Sequence, residues 1–386
     1  MTVELGDPGT LGNLTPDEER KLQEAWIHLL RLCGVENLGD AGRPGSAPDL
    51  TDELRRAHAG GLLAEAFREG LWGFVLSEHP DALALRFLRA RKWDAARAVA
   101  MLASAVAWRA ERDVAGAVIR RGEDVALRPA GDRSADDEGF LAQYRSGKSF
   151  VRGADRAGRP VYTIRVCLHD PRLQSAAAME AYTLHNIESL RVFARPGRDK
   201  FCLVFDMTGF GLRNMDFHVV KFLVSVFEAR YPETLGVILI HNAPFVFWGI
   251  WNMIKGWLDP VIASKINFTR RTADLLQFIP EEHVPARHGG KDAWEYAYVE
   301  PVPGENARLG EAEKRTEIQS ERGQLISEFE LETVEWVAAD AAADAAGESA
   351  ARRTEVAERL SENYWRLDPY IRAKTHIHRL GLAELN

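Results

Sequence analysis

The sequence predicts an α/β fold: a mostly parallel sheet, preceded by a helical segment and followed by a helical extension. Three observations carry this expectation. From about residue 148, short apolar runs alternate with helix-length segments, the pattern of strands buried on both faces and joined by helical crossovers. The region before residue 115 shows helical spacing. In the tail, Ile318, Leu325, Phe329 and Trp336 recur at intervals of 7, 4 and 7, which places them on one helical stripe.

The elements follow in chain order. Residues 15–33 predict a helix, with Thr15 as N-cap, Pro16 at the first helical position and Glu18 completing a capping box. Its apolar stripe is Leu22, Trp26, Leu29, Leu30 and Cys33. The Gly/Pro-rich stretch 34–50 predicts a loop. Residues 81–112 predict two tandem helices, the first with Leu85, Phe87 and Leu88 inward, the second capped by Asp94 and carrying Val99, Leu102, Val106 and Arg109. Residues 149–166 predict a hairpin turning at DRAGRP, and 179–194 a helix. FCLVFDM (201–207) and LGVILI (235–240) predict buried strands, with a largely buried helix over 216–230 between them, ended by Tyr231-Pro232. KINF (265–268) predicts a further strand, followed by a helix from Thr272. In the tail, the Ala/Asp-rich run 338–347 predicts a helix or tether, Asp368-Pro369 predicts a helix restart, and the apolar stripe predicts a packing face.

Composition narrows the function. Hydrophobic residues at 46% and charged residues at 27% fit a globular chain and exclude wholesale disorder or a fibre. Three scattered cysteines exclude a disulfide framework or a CxxC zinc site and fit a reducing compartment. The first ten residues lack a basic n-region and an apolar h-region, so no secretory signal is expected. The net charge of −8 resides in residues 302–362, with 15 acidic against 7 basic residues; the rest balances at 42 of each. Without a broad basic face, nucleic acid is not an expected partner.

Residues 235–258 raise the question of a membrane span. His241, Asn242 and Pro244 break the run, so a strand ending at Ile240 and a helix starting after Pro244 are expected instead. That helix, FVFWGIWNMIKGWL, is apolar on nearly every side and carries a single charge, Lys255. It must be buried all round or present one face to something apolar other than protein. Tryptophan suits an apolar–wet boundary, so both alternatives stay open.

An ordered set of motifs resembles the CRAL-TRIO family of lipid-exchange proteins: LRFLRARKWDAARA (85–98), DRAGRPVY (155–162), VFDMTGFG (204–211), RYPETLG (230–236), HNAPFVF (241–247), WLDPVIASKI (257–266) and IPEEHVPARHGG (279–290). The tail resembles the C-terminal helical extensions of fungal members. The resemblance implies a helical N-terminal lobe (1–115), a lipid-binding CRAL-TRIO lobe with a sheet floor and helical lid (116–300), and an acidic helical extension (301–386). It implies no enzyme activity, cofactor or metal. It implies transfer of a phospholipid, phosphatidylinositol foremost, by a cytoplasmic protein that touches membranes transiently and presents its lipid to a lipid kinase or other protein partner. The lid corresponds to 245–258, with Phe245, Phe247, Trp248, Trp251 and Ile254. Phe201, Leu203, Phe205, Phe227 and Ile262 are expected in the pocket. The headgroup residues of the inositol-binding members fall on Arg91, Lys92, Glu233 and Lys265. Cations and a carboxylate suit a phosphodiester and inositol hydroxyls. Arg86, Arg89 and Arg97, from the same basic run, remain a solvated helix face.

The departures from the family pattern also carry information. The hydroxyl residues of the family's choline-lipid site are Phe201 and Leu203 here, which disfavours phosphatidylcholine. Ile262 and Thr234 replace a usual Thr and Arg of the inositol site, leaving a buried phosphate with fewer partners. A neutral apolar ligand, a sterol or terpenoid held by a sensor or regulatory scaffold, is therefore the second expectation. SGKS (146–149) lacks the first glycine of a phosphate loop, and GFGLRN (209–214) lacks the third glycine of a dinucleotide fingerprint. His283 and His288 are expected as loop residues, and Asp206 as a turn-forming carboxylate.

Overall fold

The computed structural model describes residues 7–35, 63–193, 199–338 and 344–382. The predicted loop beyond residue 35 and residues 339–343 of the Ala/Asp-rich run lie outside them. The chain forms two compact units. One draws on the described residues up to 120 and those between 307 and 372; the other on the described residues between 121 and 306 and from 373 onward.

The first unit is helical. Helix α1 (Pro16–Leu32) begins as its sequence dictates: Thr15 Oγ accepts from the Glu18 amide at 3.3 Å, and Glu18 accepts from the Thr15 amide at 2.8 Å. Helices α2 (Ala64–Val75), α3 (Pro80–Ala90) and α4 (Ala95–Glu111) follow, the last capped by Asp94, which accepts from the Arg97 amide at 3.0 Å. Two long helices from the C-terminal part complete this unit, α11 (Ala312–Ala338) and α12 (Asp344–Ile371). They run antiparallel, with ion pairs Glu332–Arg352, Glu328–Arg359 and Glu321–Arg366 between them. Phe329, fully buried, packs against Trp26, Trp72 and His79 at ring distances of 5.5, 5.6 and 6.1 Å. The tail's stripe is therefore core, and the acidic segment offsets part of its own charge. Asp368-Pro369 does not restart a helix. Pro369 sits inside the last turn of α12, where it forfeits one backbone hydrogen bond and crowds the carbonyl of Trp365. The Asp368 carboxylate instead accepts from the Tyr364 hydroxyl at 2.7 Å and from Arg372 at 2.8 Å, four residues to either side.

The second unit holds a five-stranded sheet in sequential order. Strands β1 (Ser149–Ala154) and β2 (Pro160–Arg165) pair antiparallel; β3 (Phe201–Asp206), β4 (Leu235–His241) and β5 (Ile266–Thr269) extend β2 in parallel. Helix α5 (Ala135–Arg145) precedes the sheet. The crossovers are α6 (Ala176–Leu190), α7 (Phe217–Ala229), and the pair α8 (Phe247–Lys255) and α9 (Pro260–Ser264). Parallel neighbours joined by crossovers of one hand carry all their helices on one face. Strand alternation separates the two faces. Val161, Cys202, Val204, Val237 and Leu239 pack against Leu275 of the short α10 (Thr272–Leu275) and against Ile279 and Val284. The intervening residues point the other way, toward α6, α7 and α8. Short α13 (His376–Arg379) sets Ile377 against Val151, Leu190 and Phe201.

Helix α7 differs from expectation. Its apolar sequence predicts a largely buried helix, yet Val226 is its single buried residue. Its inner side chains meet empty space instead of packed protein.

Candidate functional site

That space is a cavity of about 230 Å³ between the sheet and its crossover helices; two further cavities in this unit measure about 30 and 20 Å³. The floor is Tyr162 and Ile164 of β2, Phe201, Leu203 and Phe205 of β3, and Ile238 and Ile240 of β4. Helix α7 contributes Val219, Val220, Leu223, Val224 and Phe227; α8 contributes Phe247, Trp251 and Ile254, with Ile262 and Ile266 beyond it. Its lining is almost wholly apolar side chains from the sheet floor and the crossover helices. The geometry suits an apolar guest.

Helix α8 is neither buried all round nor solvated all round. Phe247 and Ile254 are buried, and Phe247 meets Phe210 at 6.0 Å. On the other side Trp248 and Met253 are half exposed and Phe245, just before the helix, is 92% exposed. Trp248 rests on Phe268 with ring centroids 4.7 Å apart. Phe245 and Trp248 thus do not line the cavity, whereas Phe247, Trp251 and Ile254 do. No helix among the described residues is long and apolar enough to cross a membrane.

The CRAL/TRIO domain family matches residues 144–290, and the CRAL/TRIO N-terminal domain family matches 50–104. The phosphatidylinositol transfer protein CSR1 of Eremothecium gossypii is 33% identical over an alignment spanning 95% of this chain and 96% of its own. The chain belongs to the CRAL-TRIO family. The CRAL-TRIO domain-containing protein C3H8.02 of Schizosaccharomyces pombe is 37% identical, covering 96% of this chain and 91% of its own. Among solved structures, the crystal structure of Sfh5 covers 76% of this chain and 94% of its own, with 16% identity and a TM-score of 0.49.

Two of the four headgroup positions carried over from the CRAL-TRIO pattern lie together in the second unit. Lys265 Nζ donates to Glu233 Oε2 at 3.0 Å, and both side chains are largely buried. Glu233 has φ +57°, a left-handed conformation that a non-glycine residue holds at a cost and that clusters at ligand sites. Neither residue lines the cavity itself; they flank Thr234, Ile262 and Ile266, which do. Arg91 and Lys92 belong to the first unit, at the C-terminal end of α3, where Lys92 also has a positive φ of 52°.

Sequence reasoning missed a polar cluster in the cavity wall. Lys148 Nζ lies 2.8 Å from His169 Nδ1, and His169 Nε2 lies 3.1 Å from Asp216 Oδ2. Ser149 Oγ meets the Tyr162 hydroxyl at 2.5 Å and also the Tyr182 hydroxyl. These residues come from five separate segments, and Lys148 sits within the SGKS stretch that resembles a phosphate loop only superficially. No local signal marks it. On the opposite face of the sheet, Asp206 accepts from the Thr208 amide at 3.1 Å, the expected turn, and also pairs with His288 Nε2 at 2.9 Å. Burial raises the Asp206 carboxyl, but these hydrogen bonds outweigh it and hold it below the usual range. His283 Nδ1 bonds the Ala154 backbone, and no cluster with metal-ligand composition occurs among the described residues.

Proposed function

We propose that this protein takes up one lipid molecule, a phosphatidylinositol, in the cavity of its second unit and carries it between membranes. The observation that carries the proposal is the 230 Å³ apolar cavity, unfilled by the chain's own side chains and bordered by α8 with aromatic residues on its outer side. Apolar burial at about 25 cal/mol per Å² supplies the affinity. Because the lipid leaves an equally apolar bilayer, the exchange stays near balance. Helix α8 acts as lid: Phe245 and Trp248 enter the membrane interface while Phe247, Trp251 and Ile254 meet the lipid tails. The name of the Eremothecium relative supports phosphatidylinositol as the cargo. Glu233 and Lys265 read the headgroup, the lysine meeting the phosphodiester and the carboxylate the inositol hydroxyls, exchanging their mutual ion pair for contacts with the lipid.

The test is transfer of labelled phosphatidylinositol between vesicles. Lys265→Ala should abolish transfer and leave circular dichroism unchanged. Undiminished transfer by that variant removes the headgroup assignment. Arg91→Ala and Lys92→Ala in the same assay decide whether these cations take part. A second reading, carriage of a neutral apolar lipid, draws on Phe201 and Leu203 in the cavity floor, which offer no hydrogen bond to a polar headgroup.

A further inference from the structure

The polar cluster around Lys148 has a place and a donor inventory that an inositol lipid does not use. Lys148 is 3% exposed and lines the cavity. Its ammonium carries three protons. Two have protein acceptors, His169 Nδ1 at 2.8 Å and, weakly, the Met179 sulfur at 3.5 Å. The third has no acceptor among the described residues. The lysine is also held in place. His169 accepts the Lys148 hydrogen bond on Nδ1 and donates from Nε2 to Asp216, whose other oxygen caps α7 through the Val219 amide at 3.1 Å. Asn214 clamps the His169 carbonyl at 2.8 Å.

Register shows how far this cluster stands from the Glu233–Lys265 pair. The Lys148 carbonyl accepts from Arg165, which aligns with Asp206, His241 and Thr269 at the C-terminal edge of the parallel strands. Lys265 precedes β5, level with the start of β4, and lies at the N-terminal edge on the far strand. Strand rise and spacing put the two sites roughly 20 Å apart across the sheet diagonal. A phosphatidylinositol with its headgroup at Lys265 would lay only hydrocarbon beside Lys148, leaving a buried donor unmatched.

We propose that the cavity also accepts an apolar molecule headed by a single oxygen acceptor, a lipophilic alcohol or carboxylate, with that oxygen on Lys148. This rests on the cavity being a lipid site, and it adds a second ligand class held in the opposite orientation. Burial lowers the Lys148 pKa to about 7, with Asp216 opposing; a lysine so poorly solvated gains from a matching acceptor. Met179 and the Tyr182 ring, 5.7 Å from Nζ, border the ammonium, and Ser149 and Asp216 share this part of the cavity wall.

The experiment uses the purified full chain and two sets of matched probes: cholesterol against cholestane, and oleyl alcohol and oleate against 1-octadecene. Binding is read from tryptophan fluorescence. In the wild type an oxygen-headed probe should bind about tenfold or more tightly than its hydrocarbon partner. In Lys148→Met that gap should close, because the oxygen-headed probe falls to the hydrocarbon's level; Lys148→Gln, which keeps a donor, should retain part of it. A gap confined to the alcohols assigns a neutral hydroxyl, and one confined to oleate assigns a carboxylate. A gap that persists in Lys148→Met, or no gap in either set, overturns the anchor. Phosphatidylinositol transfer by the wild type is measured in parallel, so failure of the carrier reading registers separately.

Discussion

The C-terminal helices test whether the acidic extension is scaffold or a free arm, and Arg353 is the residue to perturb. It lies on α12 at 3% exposure and donates to both oxygens of Asp81, at 2.7 and 3.2 Å, and to Thr333 at 2.9 Å. Its guanidinium stacks 4.0 Å from the Trp336 ring centroid and 4.8 Å from that of Phe329. Asp81, 4% exposed, also accepts from Trp26 Nε1 at 2.6 Å. Burial raises the Asp81 carboxyl, but Arg353, His79 and Trp26 outweigh it and hold it below the usual range. Replacing Arg353 with Leu leaves that carboxylate buried without its cation, a loss of about 3–5 kcal/mol. Removing both charges, in Asp81→Leu with Arg353→Leu, should recover most of the loss, since two apolar groups leave nothing unpaired. The expected coupling is at least about 2 kcal/mol. Urea unfolding followed by tryptophan fluorescence, which Trp26, Trp72 and Trp336 report, should show the single variant's midpoint lowered by roughly 1 M. A double variant as unstable as the singles taken additively would refute the reasoning. The pair's contribution is present at neutral pH and is lost as pH falls below the unfolded carboxylate range.

Two further outcomes are expected. Phe245→Ala combined with Trp248→Ala should weaken vesicle binding tenfold or more, since each large side chain buried in the interface contributes about 1.5–3 kcal/mol. The outward placement of both predicts an unchanged fold; sedimentation with vesicles measures the loss, and equal binding by the variant would remove the lid assignment. His241, packed edge-on against His288 at 4.7 Å and bonded to Thr269, has its pKa lowered to about 4, chiefly by burial and then by the charge of His288. Its neutral form is the one the fold keeps, so its contribution is full above pH 6.5 and is lost as pH falls from 6.5 toward 4. Discounted for nearby solvent, that is about 2 kcal/mol. His241→Asn should flatten this part of the stability profile, and an unchanged profile would show that another group governs it.

Local chemistry was legible. The Thr15–Glu18 capping box, the Asp94 cap, the break at Pro244 and the alternating apolar strands each depend on neighbours within a few residues, so the chain carries them in plain order. The family motifs were legible for the same reason, as short runs whose order needs no coordinates. The limits came where one pattern serves two environments. Helix α7 has the composition of a core helix because an apolar cavity and an apolar core ask for the same side chains; only the fold left its inner side facing space. Asp368-Pro369 has the form of a helix start, but Tyr364 and Arg372, brought alongside by α12 itself, claim the Asp368 carboxylate.

The sequence by itself determined the strands, the helices near 15–33, 81–112, 179–194 and 216–230 and several of their caps, since capping, steric and alternation effects act over a few bonds; it did not mark α2 or α5, or show that α12 runs unbroken through Pro369. Tertiary structure alone decided three things: that α11 and α12 complete the N-terminal helical unit, that the sheet's helices stand off to leave a cavity, and that Lys148 ends buried in its wall. Each depends on groups far apart in the chain meeting at a distance of a few ångströms, and spacing along one sequence does not encode such meetings.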